Sequence, residues 1–375
     1  MRGYARAVIS RPPGSLVALV CALAAAIGLA TASTAAAQGG EPAKRRAERE
    51  LAERYAPIVV LHEQEEACDD KGEPWAPTPV DIVLDNDEVV VRSPREGNPV
   101  LTEAPGARDL AELGEGFYLD LPGNSLRPGC TYEQDFDRFA EGQPAVAYAH
   151  VVTEPGVEDR IVLQYWLYYY FNTFNNPHES DWEMIQLVFP ASTAKEALDT
   201  EPTAVGYAQH AGGESAGWDD DKLEREGDHP VVYAAAGSHA SFFDSSLHLG
   251  RSPSEGFGCD ETSPPSRRLA LEPILLPEEV DDDNADEFGW LAFTGRWGQK
   301  ERGSFNGPTG PITKKQWSTP ITWQEGLRDS STQIPLGETF GPNVVGVVCS
   351  GMATASRLLI EVTESPIPGV LVLGV

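Results

Sequence analysis

This sequence predicts a mainly-β protein, a β-sandwich with long irregular loops and few short helices. Runs rich in β-branched and aromatic residues recur along the chain. The 30 prolines and 36 glycines fall largely between those runs, where they shorten helices and multiply turns. In the middle of the chain the apolar runs are continuous rather than alternating, the pattern of a sheet covered on both faces or of two sheets packed together.

The elements follow in order. Residues 1–37 have the form of a secretory signal peptide: Arg2, Arg6 and Arg11 at the start, an apolar stretch from Leu16 to Ala30, and Ala35-Ala36-Ala37 before Gln38. The expected location is therefore secreted or extracytoplasmic; an uncleaved segment anchoring the protein in a membrane is the alternative. Residues 38–54 are charged and alanine-rich and predict a short surface helix or tether. From Tyr55 to Val375 a single β domain is expected, with strands at Ile58–His62, Ile82–Arg92, Ala145–Val152, Ile161–Phe171, Trp182–Phe189, Val231–Ala236 and Val344–Cys349. Two polar insertions, Thr200–His229 and Glu278–Glu287, lack the central glycine of a calcium-binding loop and are expected to be solvated loops.

The chain has 28 basic and 58 acidic residues, a net charge of −30. Without the three basic residues of the leader, 25 face 58. Such acidity excludes nucleic acid as a natural partner and serves solubility. Outside the leader stand four cysteines, Cys68, Cys130, Cys259 and Cys349, with no C-x-x-C spacing. An even set in an exported chain suits two disulfides. Three connectivities are open; Cys68–Cys130 with Cys259–Cys349 keeps each bond within one half of the chain.

The run Ile161–Phe189 is the most apolar and aromatic in the protein, yet it carries His178, Asp181 and Glu183. Side chains two apart on a strand share a face, so Asp181 and Glu183 project together, with His178 in the loop that enters the strand. Neighbouring carboxylates at the rim of a core repel unless a cation or a shared proton lies between them. Oxygen ligands suit Ca²⁺, Mg²⁺ or Mn²⁺, and Asn172, Asn175 and Asn176 offer amide oxygens nearby. The alternative is a hydrogen-bond network at a hairpin end. Further on, Ala234–Phe243 places Ser238 and His239 at the end of a buried strand. The G-x-S-x-G elbow of a serine nucleophile is absent, and adjacent extended residues point to opposite faces, so a polar turn is the simpler expectation. His239 is nevertheless placed to complete the pocket begun by Asp181 and Glu183. The tryptophan-rich segments Trp290–Gly298, Phe305–Pro311 and Gln316–Trp323 are expected to staple an irregular tail over the sheet rather than line a ligand surface.

Together, RYAPIVVLHEQE (Arg54–Glu65), the LQYWLYYYFN and HESDWEMIQLVF block, VVYAAAGSHASFF, WLAFTGRWG, NGPTGP and W-x-x-P-x-x-W resemble the Vps62 family, in that family's order. That family brings no secure activity. More distantly, H-x-x-D-W-E after an aromatic strand, with S-H later, looks like the necrosis- and ethylene-inducing (Nep1-like) cytolysins. These are secreted, disulfide-bonded β-sandwiches whose matching residues surround a divalent ion that helps them engage sphingolipid headgroups. The resemblance implies that His178, Asp181 and Glu183 surround the ion and that His239 and Ser238 line the pocket. Asn172 falls where that family has an aspartate, and Pro177 and Ser180 depart from its pattern. The function expected is cation-dependent binding to a polar lipid headgroup or glycan. The alternatives are a metal-assisted hydrolase, with Glu183 or His239 as general base, and a structural envelope protein without a site.

Overall fold

The computed structural model describes residues 41–334, apart from 70–71, 253–254 and 302–304, together with scattered positions from Cys349 to Leu358. The expected leader, 1–37, and the expected strand at Val344–Cys349, Cys349 itself excepted, lie outside the described residues. Two compact units divide the chain, Met1–Ala47 and Glu48–Val375, and all the strands belong to the second. Among the described residues no helix is long and apolar enough to cross a membrane. The charged, alanine-rich segment before Tyr55 is helical at Ala43–Arg54.

The strands in chain order are β1 (Ile58–His62), β2 (Val90–Arg92), β3 (Val100–Glu103), β4 (Tyr118–Asp120), β5 (Val146–Glu154), β6 (Val157–Asn172), β7 (His178–Phe189), β8 (Ala204–Gln209) and β9 (Gly212–Gly217). Then come β10 (Arg225–Glu226), β11 (His229–Ala234), β12 (Ser241–Phe242), β13 (Leu247–Ser252), β14 (Gly256–Glu261), β15 (Ser266–Ala270), β16 (Glu272–Leu275) and β17 (Gln333–Ile334). A six-stranded sheet, β16-β5-β6-β7-β8-β9, forms the centre. A second sheet, β10-β11-β1-β15 with β12 beside β11, packs on one of its faces; two three-stranded sheets, β14-β13-β17 and β3-β2-β4, complete the fold. The fold is mainly β and sandwich-like, as expected.

β6 and β7 are buried along nearly their whole length, which is why their sequence shows no polar alternation. On one face Tyr169 stacks on His239 and Tyr207 donates its hydroxyl to the Val231 carbonyl. The opposite face presents Gln164 and Gln186, hydrogen-bonded to each other and to carbonyls of the tail. There the tail packs its tryptophans inward: Trp290 and Trp297 lie against Trp182, and Trp317 stacks on His150 at 3.7 Å. Stapling is thus the role these tryptophans have.

Three expectations need correction. Ile82–Arg92 is not one strand: a 3₁₀ turn occupies Val80–Ile82, Asp85 takes a left-handed conformation, and only Val90–Arg92 pairs. β7 begins at His178, so His178 lies within the strand, paired with Asn172. Thr200–His229 is not a solvated loop, since β8 and β9 extend the central sheet from within it. Glu278–Glu287 is largely an exposed loop, as expected, and its end enters a short helix at Ala285–Phe288. The cysteines pair as Cys68–Cys130 and Cys259–Cys349, bonds that fit an oxidising compartment.

Candidate functional site

Period-two alternation puts Asp181 opposite Tyr169 and Glu183 opposite Leu167, on the face toward the second sheet. Ser180 interrupts the regularity with a left-handed backbone (φ 57°). Around it Glu179 turns away to meet Tyr132, while His178 Nε2 comes to 3.8 Å from Asp181 Oδ1. His178 Nδ1 donates to the Asn176 carbonyl at 2.6 Å. A carbonyl only accepts, so Nδ1 carries a proton, and Nε2 is the nitrogen that faces Asp181.

Asp181 is well supplied with donors. Its Oδ2 accepts from Asn172 Nδ2 at 2.8 Å and from His239 Nδ1 at 3.0 Å, and its Oδ1 from the Trp182 amide at 2.9 Å. Burial opposes ionisation, but the His178 and His239 imidazoles outweigh it and hold this carboxyl far below the usual range. Asn172 orients its amide by accepting from the Phe174 N–H with Oδ1. It therefore offers Asp181 a donor rather than offering an ion its oxygen, which corrects its expected role as a ligand.

His239 is fully buried, its ring stacked on Tyr169 at 3.9 Å. Its Nε2 lies 3.5 Å from Glu73 Oε2. Glu73, also fully buried, accepts from the Trp75 amide at 2.9 Å and the Gly237 amide at 2.6 Å. Burial pulls the imidazole down, yet Glu73 and Asp181 raise it to about 9. Glu73, His239 and Asp181 thus form a buried carboxylate–imidazolium–carboxylate line. Glu73 was not anticipated from the sequence.

Glu183 contrasts with this. It is 8 % exposed, and no hydrogen bond reaches its carboxylate among the described residues. Burial first, then the negative charge of Asp181, pushes its pKa well above the carboxylate range, against the pull of Lys314. Nearby, the buried Tyr169 hydroxyl has no hydrogen-bond partner and feels the charges of Glu73, Glu183 and Asp181. Neighbouring acids on this strand are thus treated differently: protein donors keep Asp181 ionised, and burial shifts Glu183 toward its neutral form.

Ser238 does not line this pocket. Its hydroxyl donates to Asp260 Oδ1 at 2.5 Å, and Asp260 also meets His210 Nε2 at 3.0 Å. In the turn after β11, with His239 in a left-handed conformation (φ 56°) and aimed at Asp181, the two neighbours serve separate networks. Among the described residues, the group of metal-type ligands whose atoms lie within 4.8 Å of one another is Cys68, Cys130 and Glu133. Those two sulfurs are bonded to each other, and Glu133 accepts from the Cys68 amide, so that cluster is structural.

No family model matches the chain, and no curated protein does; the Vps62 resemblance therefore gains no support. Solved structures that are similar include NLPPya in complex with glucosamine (14 % identity, 76 % of this chain and 93 % of that chain, TM-score 0.38). NLPPya in complex with mannosamine gives the same identity and coverage at a TM-score of 0.37. Necrosis and Ethylene inducing Protein 2 from the causal agent of cocoa's Witches Broom disease is 14 % identical over 54 % of this chain and 71 % of that chain, at a TM-score of 0.29. At such scores the likeness carries no argument about what the site does, which rests on its own residues.

Proposed function

We propose that the protein is a secreted, non-enzymatic binding module in which a divalent cation draws Glu183 in beside Asp181 and His178, three side chains that do not lie within 4.8 Å of one another without it, and holds a polar lipid headgroup or glycan. The observation that carries this is Glu183, a buried carboxylate beside an ionised aspartate with no donor of its own. A cation can replace the proton that otherwise neutralises it. His178 Nε2 and Asp181 Oδ1, 3.8 Å apart, are spaced for an ion with bonds of about 2.0–2.4 Å to each. Ca²⁺, Mg²⁺ or Mn²⁺ would suit two carboxylates, with a remaining position for a hydroxyl or phosphate oxygen of the ligand.

A metal-assisted hydrolase fits these groups less well. His239 is enclosed between two carboxylates, and burial shifts Glu183 toward its neutral form, away from the free base that water activation needs.

Ion uptake that displaces the Glu183 proton must release it. Calorimetric titration with Ca²⁺, Mg²⁺ and Mn²⁺ in buffers of different ionisation enthalpy should give heats that differ by the buffer term at neutral pH. Glu183→Gln should abolish that binding and the accompanying rise in melting temperature. Metal-dependent retention on lipid or glycan arrays should vanish with it. Equal binding of metal by wild type and Glu183→Gln would refute the assignment.

A further inference from the structure

The segment Gly289–Gln324 departs from the acidity of the chain: Arg296, Lys300, Arg302, Lys314 and Lys315 stand there against the single acid Glu301. Many arginines elsewhere are paired with carboxylates, including Arg54, Arg92, Arg108, Arg138, Arg160 and Arg268. Arg296 and Lys300, by contrast, have no ion pair among the described residues. Both line a cleft of about 770 Å³ together with Thr309, Thr313 and Glu115.

The cleft is built on fixed backbone. The Arg296 amide donates to the Phe117 carbonyl at 2.9 Å, and the Arg296 carbonyl accepts from the Leu119 amide at 2.9 Å. On its other side Arg296 bridges to Thr309, and the fully buried Trp297 follows it. The guanidinium commits Nη1 to the Gly307 carbonyl at 2.7 Å, which aims the group while leaving its other N–H donors unspent. The Thr313 hydroxyl donates within its own turn, so Thr309 and Thr313 give the wall a hydroxyl edge. Burial, and then the charge of Arg296, lowers the pKa of Lys314 on the same turn.

We propose that this cleft is an oxyanion site, taking a phosphate or sulfate group on Arg296 and Lys300. A planar guanidinium grips a tetrahedral oxyanion through paired N–H donors, and an ammonium adds a mobile point charge. Such a group is drawn to a cationic hollow on a chain that is otherwise strongly acidic. Glu115 opposes the ligand from the same wall and sets the affinity. The site does not depend on the cation proposed at Glu183.

Calorimetry of the full chain with inorganic phosphate and with sulfate, at low ionic strength, tests this directly. Lys300→Gln should weaken binding about tenfold, and Glu115→Gln should strengthen it severalfold. Arg296→Gln should abolish it, with a melting curve as its control, since that side chain also holds Gly307. Glu183→Gln should leave it unchanged, which separates this site from the cation site. Flotation with phosphatidylcholine vesicles, with and without phosphatidic acid, identifies the source: capture by the phosphatidic acid vesicles alone assigns a lipid phosphate, and binding of free phosphate without capture assigns a soluble one. Absence of binding in every arm at millimolar ligand overturns the proposal. Wild-type affinity in both Lys300→Gln and Glu115→Gln does the same.

Discussion

Replacing Glu73 by Gln keeps the shape of the side chain and removes the charge that His239 faces. The imidazole sits at about 9 instead of its ordinary 6.5 although burial pulls it down, and Glu73 is the largest of the influences raising it. A displacement of that size corresponds to about 3 kcal/mol of folding free energy. For a histidine raised on folding, this stabilisation is complete below pH 6.5 and is lost as pH climbs through about 9. The amide also turns an N–H donor toward either the Trp75 or the Gly237 amide, both of which Glu73 now satisfies. We expect Glu73→Gln to lower stability by about 3–5 kcal/mol at pH 6, the usual cost of breaking a buried ion pair. At pH 10 the wild-type imidazole is neutral, and only the unsatisfied amide should remain, about 1–3 kcal/mol. Urea unfolding followed by tryptophan fluorescence, on both proteins at each pH, gives the two differences; groups common to both, such as Glu183, cancel. An equal gap at pH 6 and pH 10 would refute the charged Glu73–His239–Asp181 line.

Three further outcomes are expected. Paired Cys68→Ser and Cys130→Ser changes open a cross-link between residues 62 apart and should cost about 4 kcal/mol in denaturant unfolding. At Gly298 an added Cβ would stand 2.3 Å from the Glu179 carbonyl oxygen, so Gly298→Ala should lower the melting temperature by an amount equivalent to about 1–3 kcal/mol. The Glu154 carboxylate accepts from the Ile321 and Thr322 amides at 2.7 and 2.9 Å; Glu154→Ala should cost about 1–2 kcal/mol and raise hydrogen exchange at those two amides selectively. Burial opposes ionisation of Glu154, but its Thr322 and Ile321 bonds lower its pKa on balance, so in wild type this contribution is present above pH 4.5 and is lost on acidification.

What could be seen in the sequence was what depends on near neighbours. Asp181 and Glu183 share a face because a strand repeats every two residues, and that needs no knowledge of the rest of the chain. His239 was recognisable as a histidine at a strand end, but its contact with Asp181 spans 58 residues and arises only when the second sheet packs on the first. Glu73 had no pattern to betray it. It stands in the proline-rich stretch Lys71–Pro79, where a solvated carboxylate is the ordinary expectation, and its burial depends on amides donated by Trp75 and by Gly237, the latter 164 residues away. The misjudged segment Thr200–His229 has a more instructive cause. β8 is buried on both faces from Val205 to Gln209, but the glycines here hide it. A Cβ at Gly206 would stand 2.4 Å from Gln324 Oε1, and one at Gly213 would stand 2.9 Å from Leu327 Cδ2. Those glycines make room for the tail to lie on the sheet edge. The residues that made the segment look like a loop are therefore the ones that let it be a covered strand, and their meaning resided in Gln324 and Leu327, more than a hundred residues downstream.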